Sequence, residues 1–368
     1  YGARRVNCQC CQSRDLATIY ETGKLPIFQN KVYTTRGSAE AAKRGEVVLL
    51  RCSDCGFVCN GSFDPDLMKY DGEYQNEQAH SPYFDRYLDS LVHLIAERGF
   101  ADRRIIEIGC GKGTFLKKLW DAGFEAFGFD KTYEGTDPRV IQDYFSEQYR
   151  GHKAELYILR HTLEHSRNPR DFLHEIAELA DFQGSVYIEV PSFEWILQHR
   201  AFWDIFYEHC NYFTLASLQN LFSEARGDYL FRKQYLYVLA PFSALKSNPG
   251  RSKKTLDDKE FALRKEREKL MDFVQQRQGL VVWGAGAKGA TFVNITDAGR
   301  EHIRCVVDVN PNKAGNFIAG SGHQIVSPDD LPNQPLEILV MNENYLEEIR
   351  ASNRGRPYRY CALGEGLA

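Results

Sequence analysis

The chain has 368 residues, of which 43% are hydrophobic and 26% charged, and a formal net charge of −4; this is a globular composition of two- or three-domain size, outside the disordered and fibrous classes. There is no basic surplus to suggest a dedicated nucleic-acid binder, and no run of about 18 apolar residues to span a membrane. The opening YGARRVNCQCCQ has no apolar stretch, which predicts no signal peptide and a cytoplasmic location.

Six of the ten cysteines fall in the first 60 residues. Cys8-x2-Cys11 and Cys52-x2-Cys55 are two CxxC knuckles 40 residues apart, with Gly56 after the second. Each knuckle puts two thiolates on one tight turn, so together they predict a closed tetrahedral S4 site for a structural Zn2+. Cys10 and Cys59 do not fit the knuckle spacing and are expected to be bystanders. The alternative is a set of free or redox-active thiols.

From about residue 80 the pattern alternates. Phe84, Tyr87, Leu88, Leu91 and Ile95 mark one face of a helix. A strand over 103–108 runs into Gly109-Cys-Gly111-Lys-Gly113, and a helix is expected over 114–122. Further strands are expected at Ala126–Phe129, which ends at Asp130, and over 156–159 and 185–190. Asn168-Pro169 opens a helix to about residue 181, and 218–225 is expected to be helical. A tight strand pair over 229–232 and 235–240 would place one antiparallel strand at the edge of a mostly parallel sheet.

The GxGxG spacing is not the GxGxxG of dinucleotide binders. Glu107, two residues before the first glycine, would repel a phosphate but suits an ammonium. Asp130 can accept hydrogen bonds from two ribose hydroxyls. A cofactor with a ribose and an amino-acid tail but no phosphate fits, which is S-adenosylmethionine. The set resembles class I S-adenosylmethionine-dependent methyltransferases over roughly residues 84–240, including Arg160-His-Thr-Leu-Glu-His165. The resemblance implies that Glu107 and Gly109 hold the amino-acid moiety, Gly111 allows close approach and Asp130 takes the ribose. It also implies that Asp143 lies near the adenine and that His161 faces the methionine end.

Residues 202–214, Phe-Trp-Asp-Ile-Phe-Tyr-Glu208-His209-Cys-Asn-Tyr212-Phe-Thr, follow a strand on the side where open α/β sheets bind ligands. Glu208 beside His209 is an acid next to a potential general base, and the aromatics could wall a dry pocket that keeps His209 neutral. Residues 251–270 carry eight Lys/Arg and five Asp/Glu, with Leu263, Leu270 and Val274 at helical spacing, which reads as a solvated linker helix with one docking face.

A last unit starts with the strand Leu280–Trp283 and Gly284-Ala-Gly286-Ala-Lys-Gly289, a GxGxxG. Strands follow at Ile303–Val307, ending at Asp308, and over 338–340. Alone this is an NAD fingerprint. It could instead hold a nucleotide diphosphate from a substrate, with a helix N-terminus and Lys288 facing phosphate.

The whole order resembles the zinc-containing sugar C-methyltransferases, which act on nucleotide-linked 4-keto-deoxysugars. Gly23-Lys-Leu-Pro26, Glu208-His209-Cys-Asn-Tyr212-Phe213, the second glycine loop and Asp308-Val-Asn-Pro-Asn-Lys313 carry that resemblance. It implies four units: a zinc-binding domain over 1–78, a methyltransferase core over 79–245, a linker helix over 246–278 and a Rossmann-like domain over 279–368. It implies carbon methylation next to a ketone, with His209 as base. Glu208 would orient the ring and Tyr212 would donate to an enolate oxygen. The chain departs from the family at Phe206, where a tyrosine is frequent, and at 160–165, which is closer to generic methyltransferases. O- or N-methylation of another small molecule and NAD-dependent oxidation are the rival activities.

Overall fold

The computed structural model describes residues 7–68, 81–250 and 260–363. The boundary expected at 78/79 and residues 251–259 of the charged stretch lie outside them.

The cysteine-rich segment forms a sheet of β1 (Leu16–Pro26), β2 (Arg44–Cys52) and β3 (Val58–Asn60), all antiparallel. Its fourth strand, Asn211–Tyr212, comes from the aromatic segment and pairs with Cys59 and Val58. A strand about 150 residues later in the chain thus closes the N-terminal sheet, which no local pattern announces.

The core opens with α1 (Pro82–Ile95), whose buried face is Phe84, Tyr87, Leu88, Leu91, Val92 and Ile95. Ser81 caps it by accepting from Phe84 N, and Pro82 takes the first helical position. Then follow β4 (Ile105–Ile108), α2 (Thr114–Asp121), β5 (Ala126–Phe129), β6 (Val140–Ile141), β7 (Leu156–Arg160), α3 (Pro169–Leu179), β8 (Ser185–Pro191), β9 (Arg226–Leu230) and β10 (Tyr235–Pro241). The sheet order is β9-β10-β8-β7-β4-β5-β6. The strands β4 to β8 are parallel, and β4 and β7 are almost wholly buried, as near-continuous apolar strands should be. β10 runs antiparallel between β8 and β9. The antiparallel strand expected at the edge is therefore one place in, and β9 is the edge. The helix expected over 218–225 is shorter and earlier, at Leu215–Gln219 with a Thr214 capping box.

The helix α4 (Glu260–Gln275) buries Leu263, Leu270 and Val274, the expected docking face. Beyond it are β11 (Leu280–Trp283), α5 (Ala287–Thr296), β12 (Ile303–Val307), β13 (Ile325–Val326), β14 (Leu336–Val340) and β15 (Tyr358–Ala362). Their sheet is wholly parallel, in the order β13-β12-β11-β14-β15. The sequence reading missed β13, which has only two residues, and β15.

Candidate active site and metal centre

In the core sheet and in the C-terminal sheet the strand order reverses next to the first strand, between β4 and β7 in the core and between β11 and β14 in the C-terminal unit. Ligands bind beyond the carboxyl ends of strands at such switch points. Here the two switch points open on one cavity of about 410 Å³. It runs from Glu107, Gly109 and Gly111, past His161, His165 and His209, to Gly284, Gly286 and Lys313.

At the first end, Gly109, Gly111 and Gly113 have φ of 78°, 55° and 77°, the left-handed region that glycine enters without strain. A Cβ on Gly109 would lie 2.6 Å from Thr162 Oγ1, whereas one on Gly111 would meet nothing within 4 Å. Gly111 thus leaves space for a ligand. Glu107 is 2% exposed, and its Oε2 has no hydrogen-bond partner. Burial raises its pKa to about 7, helped by Glu189 and Asp130 and opposed by Arg160. A buried carboxylate oxygen lacking a donor is costly, and the ammonium of an amino-acid tail would satisfy it. The residues present therefore fit the methionine end of S-adenosylmethionine.

Asp130 ends β5 as expected. Its Oδ2 accepts from Gly111 N at 2.7 Å and its Oδ1 from Thr132 N and Oγ1. The turn itself thus occupies much of its acceptor capacity. Asp143, like Asp130, is not among the residues that line the cavity. It accepts from Tyr144 N, Gln148 Nε2 and Tyr149 Oη and so holds its own turn together.

His161 stands at φ 50° with its ring between two buried carboxylates, Nδ1 at 3.4 Å from Glu164 Oε1 and Nε2 at 3.2 Å from Glu189 Oε1. Burial disfavours its charge, but the two acids outweigh that and hold it at about 9. Glu189 also binds Arg160 Nη2 at 3.1 Å and Tyr187 Oη at 3.0 Å. Arg160 and His161 hold it at about 2 against the effect of burial. The sequence reading missed this network. The one available signal was Glu189 itself, a lone acid in the apolar strand Ser185–Pro191.

His209 lies against Phe206, with ring centroids 4.1 Å apart, and edge-on to His165 at 4.9 Å. Burial, with the charges of His165, His161 and Lys288, pushes its pKa well below the ordinary value. Its neutral form is therefore favoured in the cavity wall. Its two expected helpers have other partners. Glu208 Oε2 accepts from Gln29 N at 2.8 Å and its backbone carbonyl meets His165 Nδ1 at 2.9 Å. The Tyr212 hydroxyl accepts from Phe206 N and donates to Phe206 O, so it clamps the loop carrying Phe206 and has no proton left for an enolate. Tyr212 is 3% exposed and does not line the cavity.

At the far end, Gly284 has φ 116°, and a Cβ on Gly289 would overlap Gly284 O, so this turn requires both glycines. Asp308 accepts from Ala285 N on Oδ2 and from Asn310 N on Oδ1. The acid of the NAD fingerprint is thus engaged by its own loop. Lys288, expected to face phosphate, pairs with Asp204 at 2.7 Å over the Trp195 ring. Two groups of the Asp308–Lys313 motif, to which the sequence analysis gave no role, line this end. Lys313 is 4% exposed and 3.8 Å from Asp308, and Asn310 is 2% exposed with an unpartnered Nδ2.

The sulfurs of Cys8, Cys11, Cys52 and Cys55 lie within 4.8 Å of one another, with Cys8–Cys55 and Cys11–Cys52 at 3.5 Å. Zinc–sulfur bonds of about 2.3 Å put tetrahedral sulfurs about 3.8 Å apart, so the four fit one zinc ion. Gly56, at φ 74°, closes the second turn, where its N–H donates to Cys52 O.

Two family models match in tandem, a methyltransferase domain over residues 77–227 and a C-methyltransferase C-terminal domain over 256–358. The chain is an S-adenosylmethionine-dependent methyltransferase. A similar curated protein is C-methyltransferase NovU of Streptomyces niveus, 24% identical over 387 residues, covering 93% of this chain and 90% of that protein. Among solved structures, the methyltransferase is similar to magnesium protoporphyrin IX methyltransferase of Synechocystis, determined with S-adenosylhomocysteine. The two are 19% identical, with 46% of this chain and 88% of that chain covered at a TM-score of 0.33. A second similar structure is 1,6-didemethyltoxoflavin-N1-methyltransferase of Burkholderia thailandensis. It is 17% identical, covers 45% of this chain and 78% of that chain, and has a TM-score of 0.31.

Proposed function

We propose that this methyltransferase adds a methyl group to a carbon next to a ketone on a nucleotide-linked deoxysugar, with His209 as the general base. The observation that carries the proposal is the neutral His209 ring in the wall of a cavity that joins the cofactor loop to a second glycine loop. A proton α to a carbonyl is within reach of an imidazole base when the enolate is stabilised. Phe206 covers one side of the ring and keeps water from it. Protonated His161 lines the same cavity and puts positive charge near the developing enolate. S-adenosylmethionine, when bound, supplies the electrophilic methyl group. Glu107 holds its ammonium, and Gly109 and Gly111 let it approach the backbone. Zinc held by Cys8, Cys11, Cys52 and Cys55 is structural, since four thiolates leave it no open position.

The nucleotide assignment rests on the far end of the cavity. The N-terminus of α5 opens there, beside buried Lys313 and the unpartnered Asn310 Nδ2. Backbone N–H groups at a helix start, an ammonium and an amide donor suit a diphosphate.

Incubation with methyl-labelled S-adenosylmethionine and nucleotide-linked 4-keto-deoxysugars, read by mass spectrometry, tests the acceptor class. His209→Ala should lower turnover about 10²–10⁴-fold with cofactor affinity nearly unchanged. It should also stop α-hydrogen exchange with deuterated water in the absence of S-adenosylmethionine. Normal exchange by His209→Ala would remove His209 from the base role.

A further inference from the structure

We propose that Glu164, His165 and His209 form a second metal site, for a divalent transition cation, in the wall of the cavity. The two imidazoles and the carboxylate each offer a ligand atom, and these atoms lie within 4.8 Å of one another. Metal bonds of about 2.1 Å put neighbouring ligands about 3–3.4 Å apart, so side-chain rotations would have to close the set by little more than an ångström. Two histidines and one carboxylate are a donor set for borderline cations such as Zn2+, Co2+ or Fe2+, and they leave further coordination positions open.

Two independent observations point to a ligand here. Glu164 is 1% exposed, yet neither of its carboxylate oxygens has a hydrogen-bond partner. Among the described residues its charge contact is His161 Nδ1 at 3.4 Å, and His161 has a second acid, Glu189, to lean on. A buried carboxylate without a donor is the kind of group that a cation satisfies. Second, His165 Nδ1 meets the carbonyl oxygen of Glu208 at 2.9 Å. A carbonyl can only accept, so that nitrogen carries the proton and Nε2 carries the lone pair. This is the outer hydrogen bond that fixes the tautomer of metal-binding histidines. All three residues line the cavity, so the open positions would face a substrate oxygen or water. Coordination uses the lone pair of His209. On the reading of His209 as base, cation binding and proton abstraction therefore exclude one another.

Cobalt separates the two metal sites of the whole protein. The enzyme as purified, with its zinc in place, is titrated with Co2+ and followed by visible absorption. One equivalent should bind with d–d bands and no thiolate-to-cobalt charge transfer. Glu164→Gln and His165→Asn should each weaken it by about 10-fold or more, with zinc content and S-adenosylhomocysteine affinity unchanged. Bound cobalt should also slow α-hydrogen exchange in the wild type. No saturable cobalt binding would overturn the proposal, as would binding that both variants leave intact or that shows only the thiolate band. Neither Glu164 nor His165 is the proton acceptor in the base reading. Loss of exchange in His209→Ala alongside failure to bind cobalt would leave that reading standing and end this one.

Discussion

Glu107 links its burial directly to cofactor affinity. Its carboxyl titrates near 7 instead of near 4.5, chiefly because burial disfavours the charge. An acid raised in this way stabilises the fold most at low pH, and it loses that contribution as pH rises from the unfolded value to about 7. Near neutrality, then, an unpaired carboxylate is being forced into a buried site. A bound ammonium removes that cost, so binding should release a proton from Glu107. S-adenosylhomocysteine affinity is expected to rise between about pH 5.5 and 7.5, before the ligand's own amine begins to lose its proton. Calorimetry in buffers of different ionisation enthalpy should show the release. In Glu107→Gln both the rise and the release should vanish; an unchanged profile would place the ammonium elsewhere. The neighbouring network behaves in the opposite way. His161, held at about 9, stabilises the fold fully below about 6.5, and that contribution is lost as pH climbs through 9. Alkaline destabilisation should therefore persist in Glu107→Gln and be weakened in Glu164→Gln.

At the scale of elements, the parts that could be read were those whose chemistry is local. The run from β4 through its glycine turn into α2 is contiguous, and so are both knuckles and the second glycine loop. What stayed hidden was set by pairing across long separations. Arg160 and Glu189 face each other because β7 and β8 are in that register. Glu208 is fixed by Gln29, 179 positions earlier; Tyr212 is the local exception, fixed by the backbone of Phe206. Adjacency in sequence suggested that Glu208 would serve His209, but the chain bends so that its carboxylate serves the N-terminal segment. The knuckles belong to the legible class, and they carry a prediction. Cys52 ends β2 and Cys55 lies in the turn to β3, so zinc would pin that hairpin to the chain start. Cys8→Ser or Cys52→Ser should lose about one zinc per chain and much of the soluble yield, while Cys10→Ser should lose neither. Elemental analysis decides, and a zinc-free, folded wild-type protein would end the assignment.

For the whole molecule, the aromatic segment joins what composition divides. Phe202 and Trp203 sit in one hydrophobic cluster with Tyr20 and Val47 of the N-terminal sheet, Leu263 and Leu270 of α4, and Val282 and Phe292 of the C-terminal unit. Asn211–Tyr212 completes the N-terminal sheet, and Asp204 reaches Lys288 at the start of α5. The N-terminal and C-terminal sheets therefore share this core, while the methyltransferase sheet joins the N-terminal unit through a second one, where Cys52, Cys55 and Phe57 pack with Ile106, Leu159 and Ile188. The cavity is held between units that cannot part without exposing apolar surface. This arrangement suits a reaction whose base, cofactor loop and far glycine loop come from distant parts of the chain, because their spacing is set by packing and not by a hinge. Trp203 is 1% exposed at the centre of that cluster. Trp203→Ala should cost about 3–5 kcal/mol, as buried aromatic deletions do, and the loss should appear in all three units together. Scanning calorimetry of the wild type should show one transition, and in Trp203→Ala that whole transition should move down. Removing zinc with a chelator should likewise lower the entire transition. Two resolved transitions, with only one of them shifted by Trp203→Ala, would show that the C-terminal unit folds independently and that its place over the cavity is not enforced by this core.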